Sequence, residues 1–437
     1  MDKINRIKNY ALGCKVNQYE SDCLASGLSQ VKNIQRIAFN SSIEVDFVLI
    51  NTCSVTGSAV AKSRKIIKKA IKENPKAKLY ITGCATQVYP ERFSDLINDK
   101  VKLGDVSHQF LEKVYEEAEV HFFNKKSLKN YRSVSPVVRK NKSRYFLKIQ
   151  DGCNQFCSYC IIPYARKNLL SRSAEDIIGE IKKAEEAGFK EIVLSGIHIG
   201  RYSAKNKKGG RDNLCHLLKK ILKETKRCRI RLSSIEVNEV SLELIKIAKQ
   251  SPRICRHFHI PLQSGSGKIL KLMNRPYGIE YFWEKINIIK KEIPEIFLTA
   301  DVIVGFPSET EEDFLQTFNF CRKAEFGKIH VFSYSEHQKT QSSSIFPKIG
   351  KELRIKRANN LRSLSDELKE KSLKNIQSQN LEIIIEKVLN KNSFLGKSSR
   401  GFDIIGEFSR ISGAEKKCFK KGENIDYYFD NKKDKIF

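Results

Sequence analysis

Short apolar runs, each closed by a cysteine, pattern the N-terminal part of the chain. Tyr10-Ala11-Leu12 leads into Gly13-Cys14. Val45 to Ile50 is apolar except for Asp46 and ends at Asn51-Thr52-Cys53. Leu79-Tyr80-Ile81 ends at Thr82-Gly83-Cys84. Helical spacing fills the gaps, around Tyr19–Ser29 and Ser58–Glu73. Strands separated by helices predict a parallel sheet. From about Leu111 to Lys142 the pattern fades into charged residues around Pro136, which reads as a connector.

A second strand–helix series begins at Arg144. Tyr145–Gln150 reads as a strand, and Ser173-x-x-Asp176 opens a helix whose apolar face is Ile177, Ile178, Ile181 and Ala184. Further strands are expected at Glu191–Ser195, Ile230–Ile235, His257–Leu262, Phe297–Val304 and Ile329–Tyr334, with helices such as Ser241–Lys249 and Thr310–Ala324 between them. Repeated strand–helix units suit an open or partial α/β barrel, whose active site lies at the C-terminal strand ends. Lys351 to about Lys374 reads as one long charged helix. Beyond it, short β-like runs (Leu381–Ile385, Phe402–Ile405) alternate with glycines, as in a small β-barrel.

The fold class is therefore α/β: an N-terminal parallel α/β domain, a central partial (βα)6 barrel and a small C-terminal β-barrel. The boundaries expected are 1–112, a linker 113–142, 143–374 and 375–437. No apolar run approaches the ~20 residues of a membrane-spanning helix. Met1 to Lys8 is polar, so neither membrane insertion nor export is expected, and the chain reads as cytoplasmic.

Charge narrows the partners. Lys and Arg number 80 against 50 Asp and Glu, a net charge of +30. Such a field suits a polyanion, nucleic acid first. The bland alternative is genomic: base composition can also yield a chain rich in Lys, Ile and Asn. The Lys62–Lys72 and Lys205–Lys208 runs read either as solvated faces or as phosphate-binding surface.

There are 12 cysteines. In a long chain without a signal peptide they point to metal binding or catalysis rather than disulfides. The strongest motif is Asp151-Gly152-Cys153-Asn154-Gln155-Phe156-Cys157-Ser158-Tyr159-Cys160, with C-x3-C-x2-C spacing directly after a strand. Three thiolates on one loop suit three irons of a 4Fe–4S cubane and leave the fourth iron open. No fourth Cys or His follows in Ile161-Ile162-Pro163-Tyr164, as a closed zinc site would need. Cys14, Cys53 and Cys84 each follow an apolar strand, where parallel sheets bind ligands. That pattern alone serves a second cluster and buried structural cysteines equally well. Cys23, Cys215, Cys228, Cys255, Cys321 and Cys418 lack paired spacing and read as core or surface thiols. His198, His257 and His259 lie near strand ends, where a hydrogen-bonded histidine is the commoner reading than a functional one.

The motif resembles that of the radical S-adenosylmethionine superfamily. The resemblance implies that S-adenosylmethionine chelates the open iron and is cleaved to a 5′-deoxyadenosyl radical. It sets Tyr159 near the adenine, Ser195-Gly196 near the methionine amino group, and Gln263 and Val304 on the cofactor side; ordinary strand-end packing explains the latter positions nearly as well.

Longer blocks carry a narrower likeness. Leu12-Gly13-Cys14-Lys15-Val16-Asn17-Gln18-Tyr19-Glu20, Asn51-Thr52-Cys53, Thr82-Gly83-Cys84, Cys160-Ile161-Ile162-Pro163-Tyr164-Ala165-Arg166, His259-Ile260-Pro261-Leu262-Gln263-Ser264-Gly265-Ser266 and Asp301-Val302-Ile303-Val304-Gly305-Phe306-Pro307 resemble the methylthiotransferases, in order from about residue 8 to about 335. Gly13 to Glu20 looks closest to the MtaB subfamily. The resemblance implies two 4Fe–4S clusters, with Cys14, Cys53 and Cys84 holding the sulfur-delivering one and Cys153, Cys157 and Cys160 the radical-generating one. The implied reaction adds a methylthio group to C2 of N6-threonylcarbamoyladenosine at position 37 of tRNA, in the anticodon stem-loop. An electron donor such as flavodoxin or ferredoxin is implied too. The tail stands where the family has a TRAM domain, but only Phe394-Leu395-Gly396 and Arg400-Gly401-Phe402-Asp403 hint at it, and Phe122–Arg139 matches poorly.

Arg166 and Arg172 follow the cysteine loop and are expected to meet RNA phosphate or the threonylcarbamoyl carboxylate, because guanidinium forks onto oxyanions. The rival readings are the same reaction on N6-isopentenyladenosine tRNA and, from another class, a non-catalytic RNA-binding metalloprotein.

Overall fold

The computed structural model describes residues 5–29, 34–104, 142–207, 209–376, 379–411, 420–429 and 435–436. The expected linker (apart from Lys142), Lys208 and Cys418 lie outside them. The chain forms two compact units, Met1–Val138 with Asp151–Arg172 and Ser335–Thr340, and Arg139–Gln150 with Ser173–Tyr334 and Gln341–Phe437.

In the first unit five parallel strands, β1 (Asn5–Ala11), β2 (Ile34–Ile37), β3 (Phe47–Thr52), β4 (Lys78–Gly83) and β5 (Val101–Leu103), stand in the order β2-β1-β3-β4-β5. All of β3 is buried, as its near-continuous apolar run requires of a strand covered on both faces. The helix Gly57–Glu73 starts where Thr56 Oγ1 accepts from the Ala59 amide at 3.1 Å. Val60, Ser63, Ile67 and Ala70 make its buried face. Lys62, Lys65, Lys68, Lys69 and Lys72 fall on the exposed one. Strand order reverses between β1 and β3, the place where an open α/β sheet takes its ligand.

Asp151–Arg172 belongs to this same unit. Ile161 and Ala165 join its apolar core beside Val88, Tyr89 and Phe93. The short segment Ser335–Thr340 is fastened by Tyr89, whose hydroxyl lies 2.9 Å from His337 Nδ1.

Among its described residues the second unit holds six parallel strands: β6 (Tyr145–Lys148), β7 (Glu191–Ser195), β8 (Arg229–Leu232), β9 (His257–His259), β10 (Phe297–Val304) and β11 (Lys328–Ser333). Main-chain bonds from Cys255 N to Ile230 O (2.9 Å) and from Ile235 N to His259 O (3.0 Å) carry the pairing from one three-stranded half to the other. Side chains cap the intervening helices at Ser173, Asn213, Ser241 and Thr310. Thr310 and Asp313 form a reciprocal capping box.

The tail is an antiparallel sheet of β12 (Asn380–Val388), β13 (Ser393–Ser398), β14 (Asp403–Glu407), β15 (Asn424–Tyr428) and β16 (Lys435–Ile436), in the order β15-β12-β13-β14-β16. Its core centres on Phe394, Ile404 and Tyr427, all fully buried. It packs on the N-terminal ends of the parallel strands. Phe402 packs on Phe297, the first residue of β10, with ring centroids 4.1 Å apart and the planes tilted by 45°. Arg229, the first residue of β8, donates to the carbonyls of Glu382 (3.1 Å) and Lys397 (3.0 Å). The C-terminal strand ends lie at the other side of the barrel. Among the described residues no helix is long and apolar enough to cross a membrane.

Candidate functional site

Cys14, Cys53 and Cys84 come together at the strand ends of the first sheet. Gly13 lies at φ +89°, and a Cβ there would fall 2.7 Å from Cys53 Sγ. Only glycine lets β1 turn away so close to that sulfur. Asn17 sits in the middle, 1% exposed. Its side-chain nitrogen donates to the carbonyls of Leu12 (3.0 Å) and Thr52 (2.9 Å), tying the ends of β1 and β3 together. Its Oδ1 lies 3.9 Å from both Cys14 Sγ and Cys84 Sγ. Cys14 is exposed, whereas Cys53 and Cys84 are buried. Burial pushes the Cys53 thiol up and the Cys84 thiol to about 11, against the pull of Arg166.

The second trio lies on the 153–160 loop of the same unit. Gly152 lies at φ +78°, and a Cβ there would meet the Asn168 carbonyl oxygen at 2.0 Å, so the loop base closes only over glycine. The Cys153 amide donates to Arg166 O at 3.1 Å, and the Cys160 amide to Cys157 O at 2.9 Å. The Gln155 amide points at Cys153 Sγ from 3.4 Å. Phe156, at φ +47°, is 41% exposed. Tyr159, one residue before Cys160, is partly exposed.

Among the described residues no three His, Cys, Asp or Glu side chains are drawn into a set that would hold a single metal ion. A cubane asks for something else: each thiolate meets its own iron, which keeps the sulfurs apart. The donor chemistry of both trios, soft thiols on glycine-shaped turns, fits such a cluster.

Arg166 departs from the role expected of it. Its side chain is 2% exposed and faces its own unit. Nη2 meets Glu20 Oε2 at 2.6 Å and Asn17 Oδ1 at 3.0 Å. Nη1 meets Glu20 Oε1 at 2.7 Å and Asp151 at 2.9 Å. Nε points at Cys84 Sγ from 3.3 Å. Burial opposes the charge, yet Glu20, Cys84 and Asp151 hold this guanidinium well above its usual range. Arg172 is likewise buried and donates to the Tyr19 hydroxyl at 2.7 Å. Both arginines meet oxygen acceptors of the protein itself. Asn17, Tyr19, Glu20 and Asp151 are thus the residues that the motif contained and the sequence left without a task.

In the second unit Ser195 ends β7 and Val304 ends β10. Gly196 packs against Gln150, whose Oε1 accepts from the His198 amide at 2.8 Å. Gln263 lies at φ +66° and pairs its main chain with Asp301 and Ile303 of β10. His198 lies 2.8 Å from Glu239. His257 and His259 both reach Thr299 Oγ1, at 3.1 and 2.8 Å, and His259 Nε2 lies 3.1 Å from Asp301. Cys215, Cys228, Cys255 and Cys321 are buried core thiols here, as Cys23 is in the first unit.

Residues 147–321 match the radical SAM superfamily, and residues 6–104 match the family described as "Uncharacterized protein family UPF0004". The chain is 34% identical to the threonylcarbamoyladenosine tRNA methylthiotransferase MtaB of Bacillus subtilis, over 91% of this chain and 89% of the relative. It is 33% identical to the MtaB of Aquifex aeolicus, over 92% and 98%. It is also 33% identical to a tRNA-2-methylthio-N(6)-dimethylallyladenosine synthase of Thermodesulfovibrio yellowstonii, over 89% and 88%. In fold it is similar to TsrM, a radical S-adenosylmethionine methyltransferase from Kitasatospora setae, with a TM-score of 0.54 at 12% identity, covering 76% of this chain and 73% of that one. The chain belongs to the radical S-adenosylmethionine tRNA methylthiotransferase family, whose superfamily works with a 4Fe–4S cluster and S-adenosylmethionine.

Proposed function

We propose that this protein is a tRNA methylthiotransferase that inserts a methylthio group at C2 of N6-threonylcarbamoyladenosine, at position 37 in the anticodon stem-loop. The observation that carries the reading is the near full-length similarity to two enzymes named for that substrate. The net charge of +30 suits a tRNA partner.

The residues proposed for the work fall into two sets. Cys153, Cys157 and Cys160 would hold the cluster that, with S-adenosylmethionine bound, supplies one-electron cleavage of that cofactor. Tyr159, Ser195, Gly196, Gln263 and Val304 would line the cofactor. Cys14, Cys53 and Cys84 would hold a second cluster for sulfur delivery. Cys84 is 3% exposed and Cys53 6%, so the protein keeps water from that side of the donor set, while exposed Cys14 leaves the other side open. Metal binding at these thiols releases their protons, which the raised values of Cys53 and Cys84 make pH-dependent. The work is divided between domains 1–112, 143–374 and 375–437, with an electron donor such as flavodoxin or ferredoxin, in the cytoplasm.

A second reading, the same reaction on N6-isopentenyladenosine, is favoured by the 33% identity to a dimethylallyladenosine enzyme. Mass spectrometry of tRNA nucleosides from cells with and without the gene tests both. Loss of the methylthio group from threonylcarbamoyladenosine is expected; its loss from isopentenyladenosine alone would overturn the substrate assignment. Anaerobically prepared protein is expected to carry about eight irons per chain as two clusters.

A further inference from the structure

We infer that Arg166 is a positioning residue that fastens the two cysteine sets to each other and presents a fixed positive charge to the Cys84 sulfur. The inference rests on the two-cluster reading above.

An arginine has five N–H donors in a rigid planar fork. Here every one has an acceptor within its own unit. Nε points at Cys84 Sγ; the two Nη1 hydrogens go to Glu20 and Asp151; the two Nη2 hydrogens go to Glu20 and Asn17. The acceptors come from three separate stretches of chain. Asn17 and Glu20 follow Cys14 on the helix Lys15–Ser29, Cys84 opens the helix after β4, and Asp151 stands two residues before Cys153. The main chain of Arg166 adds the fourth link, because its carbonyl accepts from the Cys153 amide at 3.1 Å. One residue therefore touches a sulfur of the first trio through its side chain and seats the first cysteine of the second trio through its backbone.

The charge matters as much as the geometry. Glu20 and Asp151 bring two carboxylates to one guanidinium; Arg166 and Glu20 are almost without solvent, and Asp151 is 20% exposed. Removing Arg166 would leave the Cys84 sulfur and the two carboxylates without the cation they share. A hydrogen bond from a cation to a ligand sulfur withdraws electron density from the cluster and favours its reduced form. Lysine keeps the charge but has no planar fork, so it cannot serve Glu20 bidentately while reaching Cys84.

The test uses the full chain with Cys153, Cys157 and Cys160 changed to Ala, reconstituted anaerobically with iron and sulfide, so that only the Cys14, Cys53 and Cys84 site can bind a cluster. Iron content, the electron paramagnetic resonance spectrum and the midpoint potential are read, with the circular dichroism melt as the folding control. About four irons are expected in this parent. Arg166→Lys and Arg166→Gln, added to it, are expected to lower the midpoint potential and shift the resonance, or to lose iron while the melt is kept. An unchanged spectrum and potential at full iron would overturn the role of Arg166 and leave the second cluster standing. A parent that binds no iron would overturn the two-cluster reading and this inference with it. Should Arg166→Gln fail to fold, Arg166→Lys alone decides.

Discussion

Arg231, the third residue of β8, donates from Nε at 2.8 Å to Glu191, the first residue of the neighbouring parallel strand β7, and both side chains have almost no exposure to solvent. Arg229 reaches the same carboxylate at 2.6 Å. Three such groups are costly to bury singly and tolerable only together. Glu191→Ala is therefore expected to destabilise the second unit by ~3–5 kcal/mol, because it strands two buried guanidinium groups. Urea unfolding followed by circular dichroism measures it, and a change under about 1 kcal/mol would show that the arginines find other partners.

The same carboxylate sets a pH response. Burial alone would raise its value, but Arg231 and Arg229 hold it well below the ordinary 4.5. A depressed folded-state value means that the stabilisation is complete above the unfolded value and is lost as pH falls below it. The parent is expected to lose stability on acidification below about 4.5, and Glu191→Gln to lose less over the same interval. Parallel melting curves across that range check the difference.

Gly13 predicts a sharper separation of function from fold. A methyl group there would overlap Cys53 Sγ at 2.7 Å, in a left-handed backbone conformation. Gly13→Ala is expected to cost ~1–2 kcal/mol in stability while removing about half of the iron, as one cluster of two. Iron analysis beside a melting curve tells the two effects apart; full iron content would refute the crowding argument.

Removal of the tail is expected to harm the barrel as well as any RNA contact. Deleting residues 380–437 uncovers Phe297 and takes away the carbonyls that Arg229 and Arg231 use. The shortened chain should melt earlier and expose apolar surface, read by binding of a hydrophobic dye. An unshifted melt would show that the tail only rests on the barrel.

The long, strongly patterned elements were legible from the sequence. Lys351–Lys374 is one helix as expected, and Ser173, Ser241 and Thr310 cap the helices they were expected to open. In the first sheet two strands escaped notice, Ile34–Ile37 and Val101–Leu103. They are short and stand at the sheet edges, and polar residues interrupt their apolar pattern. The first helix begins at Lys15, ahead of the Tyr19 expected; its first turn holds Asn17, polar yet buried. Periodicity reads a buried polar residue as an exposed one.

At the site, the sequence named the chemistry of Arg166 but not the partner it has within the fold. A guanidinium after the cysteine loop was expected to grip an oxyanion, and it does. The carboxylate belongs to Glu20, 146 positions away. Spacing within a motif tells what a side chain can bind, but only the fold tells whether the chain itself supplies it.

The tail, finally, is held by what every sequence has. Arg229 and Arg231 take hold of the main-chain carbonyls of Glu382, Lys397 and Ser398, and one side-chain pair, Arg229 with the Glu382 carboxylate at 3.2 Å, adds to them. Substitutions along those strands leave such acceptors in place. The module therefore has latitude to vary its outer surface while keeping its seat, so a weak motif in this stretch is compatible with a firmly docked tail.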